Sequence, residues 1–265
     1  MYRCLKNLRL KSHTSLVHNA MLVAILASAS SALVSDVAMH ATYDRLATRL
    51  LSKLETADRT PWWVGIGGGP GSGKSTLAEA VAVRVNAKAP GACVVLPMDG
   101  FHYSRADLKK LDPPDAASYM PRRGSPWTFD AEACYECFKA AKAAGEGVLP
   151  TYSRELSDPV PDGVRLELSH KLVLVEGNYL LMQHDPRWKP LNDLWDERWF
   201  VKCVNRAAQR RRLIVRHLET WNDKKAKRWG DGEEGAAARA DANDVLNMDL
   251  IAVSEQYADE VIDSF

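Results

Sequence analysis

From position 68 to 75 the chain reads Gly68-Gly69-Pro70-Gly71-Ser72-Gly73-Lys74-Ser75, a glycine-rich turn closed by a cation and a hydroxyl. That order suits the cradling of phosphates. Glycines let successive backbone N–H groups converge on anionic oxygens without Cβ interference, the lysine reaches the outer phosphates, and the hydroxyl can ligate a hard cation such as Mg²⁺. Such a turn works only where a buried strand hands it to a helix N-terminus. Both flanks meet that condition, with apolar Trp62-Trp63-Val64-Gly65-Ile66 before it and Thr76-Leu77-Ala78-Glu79-Ala80-Val81-Ala82 after it. Residues Gly68 to Thr76 are therefore the expected binding site of a nucleoside triphosphate, with Ser75 also a metal ligand.

Two carboxylates follow at the ends of apolar runs. Leu96-Pro97-Met98 leads into Asp99-Gly100-Phe101-His102-Tyr103, and Leu172-Val173-Leu174-Val175 leads into Glu176-Gly177-Asn178-Tyr179. An acid at the carboxyl end of a strand beside a phosphate loop stands where a hydroxyl must approach a γ-phosphate, which makes Asp99 the candidate general base. Glu176 ends its strand in the manner of the acid that orients Mg²⁺, directly or through water. Phe101, His102 and Tyr103 are candidates for lining an acceptor pocket. His102 is read as a binding residue rather than a catalyst, and Asn178 as a weaker positioning candidate.

Local basicity stands out because the chain as a whole is nearly neutral, at +1. Between Arg206 and Arg228 lie Arg206, Arg210, Arg211, Arg212, Arg216, Lys224, Lys225, Lys227 and Arg228 against only Glu219 and Asp223. Arg212 and Arg216 are one helical turn apart, so their guanidinium groups can serve one face and clamp a transferring phosphate as part of a closing lid. Lys224, Lys225 and Lys227 read as solvated charges.

These groups need a scaffold, and the apolar pattern supplies one. Strands are predicted at Trp62 to Gly67, Ala92 to Met98, Lys171 to Glu176 and Arg198 to Val204, with a weaker one near Glu260 to Ile262. Helices are predicted at Ala41 to Leu54, Lys74 to Ala87, Phe129 to Ala144, Arg206 to Thr220 and Asp241 to Tyr257. Such alternation argues an α/β fold of three layers, with a mostly parallel five-stranded sheet and a helical lid. Asp112 to Trp127 reads as a proline-rich basic loop and Leu149 to Gly163 as a second polar loop, both suited to carrying acceptor contacts.

With 265 residues, 46% apolar and 26% charged, the composition is that of an ordinary soluble globular protein. The charge balance gives no argument for nucleic acid, and no stretch is long enough for a membrane span. Five cysteines without paired spacing suit a reducing compartment, and Cys134 and Cys137 read as helix thiols rather than a metal pair. Residues 1–40 differ from the rest: Arg3, Lys6, Arg9 and Lys11 precede the first acid, Asp36. They read as an extension to a domain over 41–265, either a mitochondrial presequence or the product of a misassigned start ahead of Met21 or Met39. The apolar run from Ala20 to Ala29 also imitates a secretory segment. The expected location is cytoplasmic, or the mitochondrial matrix if the extension is a presequence.

Taken together, GGPGSGKS, MDGFHY, RRGSPWTFD, TYSRELSDPV, VLVEGNYLL and RRRLIVRH resemble the uridine kinase, phosphoribulokinase and bacterial-type pantothenate kinase group of P-loop kinases. The likeness is greatest to uridine-kinase-like proteins of fungi and bacteria, and it covers about Tyr43 to Phe265. It implies Mg-ATP as donor and a small hydroxyl compound as acceptor. On that resemblance Lys74 and Ser75 hold phosphate and Mg²⁺, Asp99 acts as base and Glu176 supports the metal. Arg122 or Arg123 and the stretch from Tyr152 to Arg154 match acceptor-loop positions, while Arg212 and Arg216 match lid arginines. Two departures bear on the acceptor: the base-recognition region of uridine kinases is missing, and TYSRELSDPV is closer to the pantothenate kinase Y-S-H-x-x-Y-D pattern without its histidine.

The function expected is transfer of a γ-phosphoryl group to a nucleoside, pantothenate-like or sugar hydroxyl. A nucleotide or adenylylsulfate-type kinase and a non-catalytic ATP-binding protein are the alternatives. A regulatory GTPase is disfavoured because neither an N-K-x-D nor a D-x-x-G string occurs. Oligomeric state is not legible.

Overall fold

The computed structural model describes residues 36–56, 61–111 and 119–265, so most of the N-terminal extension and residues 112–118 of the proline-rich loop lie outside the described residues. Contacts divide the chain into a unit of residues 1–42, whose described part (36–42) is helical, and a unit Tyr43–Phe265. The second unit begins with helix α1 (43–56), on which Leu46 and Leu50 are fully buried.

Five strands form one parallel sheet: β1 (Trp62–Gly67), β2 (Cys93–Pro97), β5 (Leu172–Glu176), β6 (Glu197–Cys203) and β7 (Glu260–Ser264), in the order β2-β5-β1-β6-β7. All five residues of β5 are buried, as an inner parallel strand covered on both faces requires. Trp63, Val173 and Val175 project to one face and pack with Phe138 of α4 (Ala131–Ala144), where Trp63 and Phe138 meet edge to face at 6.3 Å. Helix α2 (Lys74–Lys88) runs against β1, β2 and β5 with Leu77, Val81 and Val85 wholly buried. Asp130 caps α4 by accepting the Ala133 N–H at 2.9 Å, which sets its start two residues after Phe129 and contributes about 1 kcal/mol. Cys134 is buried and Cys137 half-buried on that helix, both as free thiols.

One expectation fails. The stretch expected as a polar loop, Leu149 to Gly163, is an antiparallel hairpin of β3 (Gly147–Ser153) and β4 (Asp158–Leu166). Its three prolines disguise it in sequence. A two-stranded ribbon leaves one edge of each strand unpaired, and there Pro150, Pro159 and Pro161 cost no ladder bond; Pro150 coincides with the register shift between Leu149 and Thr151.

The basic segment also differs in detail. It forms α5 (Arg206–Leu218) and α6 (Asp223–Trp229), followed by α7 (Gly232–Arg239), and the helix expected from Asp241 to Tyr257 is composite. A π-turn at Ala240–Asp244 carries α7 into α8 (Val245–Ala252), and a 3₁₀ turn, Val253–Tyr257, ends it. A short helix α3 (Arg105–Lys110) follows Tyr103. Among the described residues no helix is long and apolar enough to cross a membrane.

Candidate active site

Strand β1 delivers the glycine-rich turn to α2. A Cβ on Gly68 would lie 2.7 Å from the Val201 carbonyl oxygen, and Gly73, which caps α2, has φ near 93°, so neither position accepts a side chain without strain. Three successive carbonyls of the turn are held from outside it. The Pro70 oxygen accepts from Gln209 Nε2 at 2.9 Å, the Gly71 oxygen from Arg212 Nη1 at 3.2 Å and the Ser72 oxygen from Ser264 Oγ at 2.6 Å. Because a trans peptide sets its C=O and N–H on opposite sides, holding these oxygens outward turns the Gly71 and Gly73 amides toward the hollow of the turn. The Ser72 amide closes the turn on the Gly69 oxygen at 3.1 Å, and its buried hydroxyl has no hydrogen-bond partner. Thr76 is exposed on the first turn of α2.

Beside the turn, Lys74 Nζ stands 4.0 Å from Glu176 Oε2, with both side chains largely buried. Register explains the meeting: Glu176 lies level with Ile66 on one side and Pro97 on the other, at the carboxyl end of the sheet centre. Burial raises the Glu176 carboxyl above its ordinary value, while the Lys74 ammonium and a hydrogen bond with Ser75 pull it back. A hydroxyl and a carboxylate are hard oxygen ligands, and among the described residues no three His, Cys, Asp or Glu side chains cluster as a metal cage. That donor set fits Mg²⁺ bound chiefly through a triphosphate and water, with Ser75 and Glu176 supplying the protein side.

A cavity of about 120 Å³ joins Lys74 and Pro70 of the turn to Asp99, His102, Arg123, Asn178 and Arg216. Seven residues read from sequence as site residues thus share one space. Asn178 Oδ1 is buried there without a partner. His102 is held between Phe129 and Tyr152, at ring distances of 3.8 and 4.7 Å, and its Nδ1 donates to the Asp99 carbonyl at 2.8 Å. A carbonyl can only accept, so the proton is on Nδ1. Burial lowers the His102 pKa, opposed by Asp99, and keeps the ring neutral.

Arg123 donates to the Tyr103 carbonyl and to Asp158 Oδ1, both at 2.9 Å, and lies near the Tyr152 ring and hydroxyl. It joins the hairpin to the transfer cavity. Arg122 turns the other way, donating to Asn243 and Asn247 at 3.1 and 3.3 Å over the Trp127 ring. Phe101 is buried in the core against Phe138, and Arg154 is exposed between β3 and β4. Tyr103 borders a different and larger hollow, about 780 Å³, with Trp127 and Arg187, which the phosphate turn does not reach. The two arginines read in sequence as lid residues part company: Arg216 lines the 120 Å³ cavity and stands 3.6 Å from Asp244 Oδ1, whereas Arg212 is spent on the carbonyls of Gly71 and Phe265.

Sequence reasoning missed Gln209, Ser264, Asn243, Asp244 and Asn247. Asn243 and Asn247 carry a usable signal, an i, i+4 amide pair on a helical stretch; Gln209 and Ser264 carry none. Asn243 Nδ2 holds the Arg123 carbonyl at 2.8 Å and Asn247 Nδ2 the Gly124 carbonyl at 3.2 Å, fixing the loop that presents Arg123. Asp244 binds His217 Nε2 at 2.7 Å as well as Arg216.

Comparisons with known proteins converge on this chemistry. A family profile described as Zeta toxin matches residues 47–138. A Schizosaccharomyces pombe protein whose name assigns it provisionally to the uridine kinases is 34% identical over 83% of this chain and 89% of its own length. An Aspergillus versicolor protein named as an ATP-dependent kinase-like protein is 34% identical over 62% of this chain and 92% of its own. The crystal structure of a protein from Silicibacter sp. TM1040, provisionally assigned as a fructose transport system kinase, superposes with a TM-score of 0.70 at 28% identity, over 83% of this chain and 98% of that one.

Proposed function

Because this chain belongs to the ATP-dependent P-loop kinases, the family of the relatives it matches over most of their length, we infer that it transfers the γ-phosphoryl group of ATP to a hydroxyl of a small nucleoside, pantothenate-like or sugar acceptor. One observation carries the reading. Lys74 and Asp99 line the same 120 Å³ cavity, so a phosphate held by the turn and a hydroxyl beside Asp99 would face each other.

In the reaction inferred, the acceptor oxygen forms a bond to the γ-phosphorus while the bond from that phosphorus to the ADP oxygen breaks. Asp99 takes the hydroxyl proton and passes it to water once product leaves. Lys74 offsets charge on the outer phosphates, and the Gly71 and Gly73 amides offset charge nearer ADP. Mg²⁺, held on the protein side by Ser75 and Glu176, would neutralise phosphate charge when bound. Arg216 and Arg123 bring guanidinium groups to the same cavity, and Asn178 forms part of its wall. Neutral His102, between its two aromatic neighbours, forms a wall of the cavity.

The test is release of ADP in a coupled assay against uridine, cytidine, pantothenate, nicotinamide riboside and sugars. Acceptor-dependent turnover that requires Mg²⁺ and disappears in Asp99→Asn supports the reading. Magnesium-independent turnover, or turnover untouched in Asp99→Asn and Lys74→Ala, overturns it.

A further inference from the structure

A second cavity of about 290 Å³ opens beside the transfer cavity and shares His102, Arg123 and Asn243 with it. Its walls come from α3, the loop before Arg123, the hairpin, α6 and the end of α7, so it lies between the hairpin and the lid. The charge on those walls is one-sided. Arg105, Arg123, Lys224, Lys225, Arg228 and Arg239 line it, and no carboxylate does. Asp158 pairs with Arg123; the other five cations make no ion pair with a described residue.

Arg239 shows the consequence. It is half-buried and makes no side-chain hydrogen bond among the described residues. Burial depresses its pKa, Asp244 and Tyr152 oppose, and the charges of Arg216 and Arg228 depress it further. Lys225 is depressed by burial and then by Arg239. Like charges gathered on one wall repel across a few ångströms, and a buried guanidinium without a partner is costly. Arg123, whose Nη groups are engaged by Tyr103, Ser157 and Asp158, adds its charge to the same wall. An anion in this space would relieve the crowding of Arg239 and Lys225, and guanidinium forks suit carboxylate and phosphate oxygens.

We propose that the acceptor is an anionic hydroxyl compound, whose carboxylate or phosphate sits among Arg239, Lys225 and Arg228 while its hydroxyl reaches Asp99. This rests on the kinase reading for the meaning of the site, and among the acceptors inferred above it favours a carboxylate, as in a pantothenate-like compound, or a phosphorylated sugar over a neutral nucleoside or sugar. Lys224 and Lys225, which read in sequence as solvated charges, become part of the binding wall; Lys227 stays outside it.

Two measurements test it. First, with the phosphate turn filled by Mg-ADP, inorganic phosphate and acetate are titrated calorimetrically into wild type, Arg239→Met and Lys225→Gln. Saturable binding of at least one anion, weakened about tenfold or more in each variant, is expected from the loss of a charge-assisted contact. The partly exposed Lys225→Gln guards against misfolding of Arg239→Met, and unchanged melting temperatures check both. Second, kcat/KM is compared within matched pairs, ribose against ribose 5-phosphate and glycerol against glycerate, which also separates phosphate from carboxylate. Preference for the anionic member, with acceptor KM raised and ATP KM unmoved in Lys225→Gln, supports the proposal. Absence of anion binding overturns the site, and equal use of both members of each pair overturns the acceptor class. Anion binding without turnover of any acceptor counts against the kinase reading and leaves the site standing.

Discussion

The inferred donor end and the proposed acceptor end of this site are built on opposite plans. At the donor end three successive carbonyls of the phosphate turn are each held by a side chain, and Lys74 lies beside Glu176. At the acceptor end five cations line the cavity with no ion-pair partner among the described residues, Lys225 donating only to the Thr220 carbonyl and hydroxyl. A triphosphate presents the same shape at every turnover, so its amides can be fixed in advance, and fixing them avoids reorganisation when charge develops. Selecting an acceptor needs free charge that only the right partner satisfies.

The comparison breaks first if the chemistry is not at the seam between these ends. Asp99→Asn keeps size and hydrogen bonding but removes the proton acceptor, so kcat should fall by about 10² to 10⁴ with ATP KM nearly unchanged. A loss confined to ATP KM would move Asp99 to the donor end. Lys74→Ala should lower kcat by about 10² to 10³, the range for removing one preorganised charge donor, with a melting temperature like wild type. Near-normal turnover in that variant would remove the donor site from the phosphate turn.

The two arginines of α5 sharpen the contrast, because one serves each plan. Arg216→Lys keeps the charge beside the transfer cavity but loses the fork, and kcat should fall about tenfold without a change in stability. Arg212→Lys should act on the turn itself, raising ATP KM and lowering the melting temperature, since its guanidinium bridges the carbonyls of Gly71 and Phe265. Steady-state kinetics and thermal melts on the pair read this out. A pure kcat loss in Arg212→Lys would return it to the catalytic lid that its spacing from Arg216 suggests.

What could be read in sequence follows the same division. The turn, its strand and its helix are contiguous, so Gly68 to Ser75 carry their meaning within one short segment. Strand β5 announces itself and Glu176 together, because an inner parallel strand must be apolar throughout. The acceptor side is assembled from α3, the Arg123 loop, the hairpin, α6 and α7, and no local pattern says that Arg105 faces Arg239. Prolines hid the hairpin since they are penalised in central strands but not at the free edges of a ribbon. Phe101 and Arg122 stand next to site residues in sequence yet serve the core and the Asn243 and Asn247 amides, because alternate residues of a turn face opposite ways. Gln209 and Ser264 were invisible, as what they hold is another segment's backbone.

The smallest effect expected concerns His102, which stands between the two plans. Its folded pKa lies below the ordinary value of 6.5 because burial disfavours the imidazolium more than Asp99 favours it. Below pH 6.5 the unfolded chain therefore binds a proton that the folded chain refuses, so this residue costs stability as pH falls through that value. The penalty is absent above 6.5 and stops growing once pH drops below the folded pKa. His102→Asn removes the titration while its amide can still donate to the Asp99 carbonyl, so its melting temperature should decline less than that of wild type between about pH 7.5 and pH 5. It should also start lower at pH 7.5, because the stacking on Phe129 and Tyr152 is lost. Parallel declines for the two proteins would mean that His102 is protonated in the fold, and the neutral wall between Asp99 and the cationic cavity would have to be replaced by one more positive charge.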